Sequence, residues 1–285
     1  MIRYRLFIGI VLLLGIVTAA SAQGYQTPEE LADENGAFIN IDGEAIYYIA
    51  EGDPGNPAIL FIHGFGGSTF TWRDILEPVA DQGFYALALD LPPFGLSSKN
   101  PALDYSRSAM ADLVAAFMDE LGIASATIVG HSMGGAVTAQ FAARHSARVE
   151  KLIFVAGGIF STSTEAASDT DSSADRSSPF SLLQRIDPRS PLATAALRAL
   201  VNRDFFRDTL ISAYYNDTLV TEEAVDGYAR LLLIENAPAG FLAYTVARDT
   251  DPVTLEDLSE AAAEIPVLII WGEEDTWVPI AVGET

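Results

Sequence analysis

The chain has 285 residues, 39 acidic against 16 basic, a formal charge of −23 and no cysteine. A surface this negative repels phosphate backbones and excludes nucleic acid as a partner. The missing cysteines exclude disulfides, thiolate metal sites and thiol catalysis, while 49% hydrophobic residues allow a sizeable buried core.

Residues 1–22 read as an export signal. Arg3 and Arg5 form a positive start, Leu6 to Val17 is an apolar run, and Ala20-Ser21-Ala22 is a small-x-small cleavage pattern. The run is shorter than the ~20 residues a span needs. Cleavage after Ala22 is therefore expected, with an uncleaved anchor as the alternative. The protein is expected in a bacterial periplasm or outside the cell, meeting the membrane only transiently during export.

Residues 23–160 alternate strand and helix. Ala45–Ala50 reads as a strand. Ala58–His63 and Phe84–Leu89 are continuous apolar runs, as parallel strands covered on both faces require. Ser106 can cap a helix carrying Ala109, Met110, Leu113, Val114, Phe117 and Leu121 at helical spacing, ended by Gly122. Thr127–Val129 reads as a strand, a helix follows from Met133 to about Arg144, and Leu152–Val155 is the next buried strand. This alternation predicts an α/β fold with a doubly wound, mostly parallel sheet. Residues 161–262 interrupt it. Of residues 161–179, thirteen are Ser, Thr or Asp, which predicts a linker. Helical patterns follow, with Pro188 and Pro191 as breaks and Thr221 and Thr254 as caps, so an inserted helical lid is expected. Residues 263–285 return to the core through the buried strand Pro266–Trp271.

The sharpest chemical signal is Gly130-His131-Ser132-Met133-Gly134-Gly135, a G-x-S-x-G turn between strand and helix. Small residues at Gly130 and Gly134 let the chains cross while the turn raises the Ser132 hydroxyl above the sheet. The helix behind it aims N–H groups at developing negative charge. A glycine-rich phosphate loop is the competing reading, but neither G-K-[ST] nor dinucleotide spacing is present. The second signal is His63-Gly64-Phe65-Gly66-Gly67 after the first apolar strand.

Together with Asp90–Ser97 (DLPPFGLS) and Trp271–Pro279 (WGEEDTWVP), these motifs resemble the α/β-hydrolase fold family over nearly the whole mature chain. One departure is Pro93, where the family usually has glycine. The resemblance implies Ser132 as nucleophile, Asp275 as triad acid and the backbone N–H groups of Phe65 and Met133 as oxyanion hole, with no cofactor and no metal. It makes His63 a positioning residue and leaves His131 inside the elbow, its side chain turned away. His145 reads as solvated. The resemblance also places a catalytic histidine after the acid, yet none of the three histidines follows Asp275. The expectation is a C-terminally truncated sequence whose catalytic histidine lies beyond Thr285, inactive in this form, with Pro266–Trp271 left as an unprotected edge.

Serine at the nucleophile position disfavours the haloalkane dehalogenase and epoxide hydrolase branches, which resemblance associates with aspartate. The leading expectation is a secreted serine hydrolase acting on a small-molecule ester. Lid residues Phe205, Phe206, Leu231–Leu233, Phe241 and Leu242 line an acyl pocket or simply form lid core. The alternatives are a carbon–carbon bond hydrolase, for which Arg230 and Arg248 are candidate anion partners, and a non-catalytic ligand-binding member of the fold.

Overall fold

The structure, a computed structural model, describes residues 25–157 and 190–284. The expected leader and the polar stretch 161–179 lie outside the described residues. Seven strands form one sheet: β1 Gly36–Ile41, β2 Glu44–Glu51, β3 Ala58–Ile62, β4 Tyr85–Leu89, β5 Ala126–His131, β6 Val149–Val155 and β7 Val267–Ile270. Their spatial order is β1-β2-β4-β3-β5-β6-β7. β2 runs antiparallel to both β1 and β4, and every other pairing is parallel. This is the expected doubly wound α/β arrangement, with helices on both faces burying the continuous apolar strands.

Strand β1 is an addition to the sequence reading. Its partner begins two residues later, with Ile41 opposite Glu44 and Asp42-Gly43 between them at φ 52° and 91°. Positive φ at both central residues is what a tight hairpin turn demands, and Asp-Gly supplies it cheaply. The core helices are α1 Leu76–Ala80, α2 Arg107–Glu120 and α3 Met133–Arg144. Ser106 caps α2 by accepting the Ala109 N–H. Past its end, Gly122 takes φ 69°.

The insertion contains α4 Pro191–Leu200, α5 Arg203–Ala213, α6 Glu222–Ala229 and α7 Ala237–Val246. Pro191 opens α4 rather than breaking a helix, because the first helical position needs no N–H donor. Thr221 caps α6, and Thr254 with Asp257 forms a capping box on α8, Leu255–Ala261. Leu242 packs with Ala193 and Leu197 in a small core of the insertion's own.

The segment before β1 ties the insertion to the sheet. The Gln26 N–H donates to the Leu233 carbonyl at 3.0 Å. Arg230 makes a bidentate ion pair with Asp33 at 2.9 and 3.0 Å, and the Tyr47 hydroxyl donates to the same carboxylate. Burial works to raise the Asp33 carboxyl, but the Arg230 and Tyr47 bonds outweigh it and hold it below its ordinary 3.8. The Asp33 side chain is 40% exposed, so solvent screening discounts the pair. Arg230→Ala is expected to lower unfolding free energy by about 1–2 kcal/mol at neutral pH. A depressed carboxyl stabilises above its unfolded value, so the difference shrinks as the pH falls below 3.8. Denaturant melts of both proteins at several pH values check this; an equal loss at acid and neutral pH would contradict it.

The last strand differs from the sequence reading of a buried run. Val267, Leu268, Ile269 and Ile270 are each about half exposed. Among the described residues β7 pairs only with β6, and α8 packs on α3. An apolar strand with one unpaired edge is a template for association.

Candidate active site

Ser132 joins β5 to α3 with φ 50° and ψ −120°, a conformation that costs a non-glycine residue about 1–3 kcal/mol. The neighbours hold it there. Its N–H donates to Val155 O at 3.0 Å, and its carbonyl accepts from Gly135 N at 2.8 Å. A Cβ on Gly134 would lie 2.4 Å from Ile62 O, and one on Gly130 would lie 2.5 Å from Gly134 O. The elbow therefore exists only because backbone passes backbone without side chains between.

The loop after β3 lies directly against the elbow. A Cβ on Gly64 would sit 3.0 Å from Ser132 Cβ. No acceptor among the described residues takes the N–H of Phe65 or of Met133. Phe65 follows Gly64, and Met133 opens α3, where first-turn N–H groups have no helical partner. Neither N–H is consumed by the fold among the described residues, so both are left as donors on the segments that flank Ser132.

The three histidines occupy different positions. His63 is fully buried, and Leu91 N–H donates to its Nε2 at 3.0 Å. Nδ1 then carries the proton and donates to Gly64 O at 2.8 Å. Both nitrogens are occupied, so this ring orients the loop and has no free lone pair for a base. Burial depresses its pKa below the ordinary 6.5, although Asp90 opposes the shift. A depressed histidine stabilises above its unfolded value and the stability is lost as pH falls. Unfolding free energy is expected to drop below about pH 6.5 with a slope approaching 1.4 kcal/mol per pH unit from this group. His63→Gln should remove that component in denaturant melts; an unchanged slope would refute it.

His131 sits behind the elbow, edge-on to the Trp72 ring at 6.4 Å, with Nδ1 buried and unpaired among the described residues. Burial lowers its pKa, as does His63, and only Asp275 pulls it upward. Asp275 is therefore close enough to act on the elbow's electrostatics. It follows β7, whose Ile270 pairs with Val155, the residue that holds Ser132 N–H. Its carboxylate accepts the N–H groups of Trp277 and Val278 at 2.9 and 2.8 Å, which fixes the loop. His145 is at the far end of α3. It is not freely solvated, since Nε2 meets Asp112 at 2.8 Å and the ring packs on Phe141. Among the described residues no hydrogen bond joins any of these rings to Ser132 Oγ or to the Asp275 carboxylate.

Asp90 anchors the remaining loop. Its carboxylate accepts from the N–H groups of Thr69 and Leu96, and Ser97 Oγ donates to its carbonyl. Lys99 is buried nearby and donates to the carbonyls of Phe94, Gly95 and Ser97. Burial pushes its amine down to about 7, against the pull of Asp90. These bonds fix the loop that carries Pro93 and the buried Phe94.

An aromatic cluster surrounds Phe65. Phe65, half exposed, meets Phe94 at 5.6 Å, Phe241 at 5.4 Å and Tyr244 at 5.8 Å. A cleft of about 300 Å³ opens beside it, lined by Phe65, Tyr105, Arg107, Tyr244 and Asp249 among others. Of the lid residues singled out from sequence, only Phe241 belongs to this cluster. Phe206 and Leu242 are buried inside the insertion, Phe205 points outward, and Leu231 packs on the core. Neither arginine singled out from sequence lines the cleft: Arg230 is paired with Asp33, and Arg248 donates to nearby carbonyls. The arginine at the cleft is Arg107, bound to Asp249 at 3.2 Å. Tyr105, Arg107 and Tyr244 carried no local signal, because tertiary packing alone brings the start of α2 against α7.

A sequence model of the alpha/beta hydrolase fold family matches residues 57–285. The uncharacterized hydrolase YugF of Bacillus subtilis is 27% identical over 248 residues, covering 86% of this chain and 83% of that one. A 2-hydroxy-6-oxo-6-phenylhexa-2,4-dienoate hydrolase of Comamonas testosteroni is 28% identical over 244 residues, 84% of this chain and 77% of that one. Among solved structures, a bacterial membrane phospholipase A superposes with a TM-score of 0.65 at 23% identity, covering 99% of this chain and 86% of that one. At that identity the likeness is one of fold.

Proposed function

The chain belongs to the alpha/beta hydrolase fold family, and from that premise we propose that it is an exported serine hydrolase of small carboxylic esters. Ser132 Oγ attacks the ester carbonyl carbon, and the oxygen that gains charge is received by the N–H groups of Phe65 and Met133. Asp275 serves as the acid that orients an imidazolium and balances its charge. A general base takes the serine proton and returns it to the leaving alcohol; His63, with both ring nitrogens hydrogen-bonded, does not supply it. Collapse of the tetrahedral intermediate expels the alcohol and leaves an acyl-Ser132 ester, which water then cleaves. The observation that carries this reading is the forced positive φ of Ser132 beside two unpaired N–H groups.

The product of the natural gene, treated with a fluorophosphonate and assayed with p-nitrophenyl butyrate, tests it. Labelling and turnover that both vanish in Ser132→Ala are expected. Labelling that persists in that variant would remove Ser132 from the chemistry. The Comamonas relative favours a second reading, hydrolysis of a carbon–carbon bond in a dienoate. Faster turnover of 2-hydroxy-6-oxo-6-phenylhexa-2,4-dienoate than of any p-nitrophenyl ester would select it. A carboxylate in such a substrate would have to compete with Asp249 for Arg107.

A further inference from the structure

We propose that Tyr244, on helix α7 of the insertion, is a positioning residue that sets both donors of the oxyanion hole. The inference rests on the roles given above to Phe65 and Met133. Tyr244 is the side chain that touches both of them. Its hydroxyl donates to Met133 Sδ at 2.8 Å, and its ring packs on Phe65. Burial pushes the phenol up to about 12, so it remains a donor at neutral pH.

Phe65 needs such a support. It stands in the run Gly64-Phe65-Gly66-Gly67, and Gly66 adopts φ 70°. Glycine on each side leaves the peptide planes around Phe65 with little intrinsic preference. Its ring is what holds it, and two of the three aromatic partners, Phe241 and Tyr244, come from α7. Tyr244 is itself wedged against Phe94 at 5.0 Å and Tyr105 at 6.1 Å. Gly240, one turn earlier, lets α7 approach the Pro93 loop, where a Cβ would meet Pro93 Cβ at 2.7 Å. The insertion thus reaches Phe65 through Phe241 and Tyr244 and Met133 through Tyr244, and the docked position of α7 decides where the Phe65 N–H points.

The test uses Tyr244→Phe and Tyr244→Ala in the product of the natural gene. With p-nitrophenyl butyrate, kcat is expected to fall about 3-fold in Tyr244→Phe and about 10- to 100-fold in Tyr244→Ala, with KM moving less than about 3-fold. Affinity for a trifluoromethyl ketone, which forms a tetrahedral oxyanion, should fall by the same factor as kcat/KM. The matching methyl ketone should bind unchanged. A purely structural tyrosine would instead lower the melting temperature and leave the split between the two ketones untouched. Unchanged kcat in Tyr244→Ala, or a rise in KM alone, overturns the proposal. If that variant loses its cooperative melt, Tyr244→Leu carries the same expectations.

Backbone N–H order parameters at Phe65 and Met133 separate this inference from the functional reading. They should fall from about 0.85 towards about 0.6 in Tyr244→Ala, because the ring that fixes these peptides is gone. A wild-type protein with no Ser132-dependent turnover defeats the hydrolase reading, while the order parameters still decide whether Tyr244 positions the donors. Unaltered order parameters in the variant refute it whatever the activity.

Discussion

Ser132→Ala is expected to lower kcat/KM for p-nitrophenyl butyrate by about 10⁴-fold or more, leaving only what binding and the oxyanion donors supply. The fold should survive, since the hydroxyl makes no hydrogen bond among the described residues and the N–H to Val155 O is retained. Ser132→Gly separates two effects that alanine leaves together. At φ 50° a side chain is strained, and glycine relieves that strain. Ser132→Gly should therefore be as inactive as Ser132→Ala but more stable than wild type by about 1 kcal/mol. Denaturant melts and initial rates on the three proteins check both halves. A glycine variant less stable than wild type would mean that the positive φ stores no strain.

Gly134→Val carries the largest expected loss of stability. A Cβ at this position would lie 2.4 Å from Ile62 O and 2.6 Å from His63 O, both backbone atoms of the central strand and its loop. Neither can rotate away as a flexible side chain would. The start of α3 must then move off β3, which pulls Met133 N–H away from its place and opens the packing of Val137 and Phe141 beneath. We expect about 3 kcal/mol or more of destabilisation and a loss of fluorophosphonate labelling in whatever remains folded. Gly134→Ala should lie between, because the same first carbon clashes but nothing extends beyond it. A valine variant with the wild-type melting midpoint would show that the helix and strand do not meet as closely as described.

The sheet was legible from the chain because its signals are local and redundant. Ala58–Ile62, Tyr85–Leu89 and Leu152–Val155 are unbroken apolar runs, and helices between and after them carry caps at Ser106, Thr221 and Thr254 that close as their side chains dictate. The first strand also has a local signal, the Asp42-Gly43 hairpin turn that joins it to β2. The half exposure of β7 was harder to read. Its apolar content is that of an interior strand, and only the placement of α8 on α3 shows that nothing described covers it.

What the sequence by itself determined is the elbow and its place between strand and helix. Ser132 between Gly130 and Gly134, after a strand and before a helix, has few physical alternatives, because small residues and a sharp turn are local requirements. What only the tertiary structure decided is how everything else meets that serine. His63 proved to be saturated by Gly64 and Leu91, Arg230 to be spent on Asp33, and Tyr244 to be the side chain that meets both Phe65 and Met133. Apart from Gly64, the partners stand 28 to 197 positions apart. Over such separations no spacing rule operates, and packing of the helical insertion against the sheet decides which side chains become neighbours.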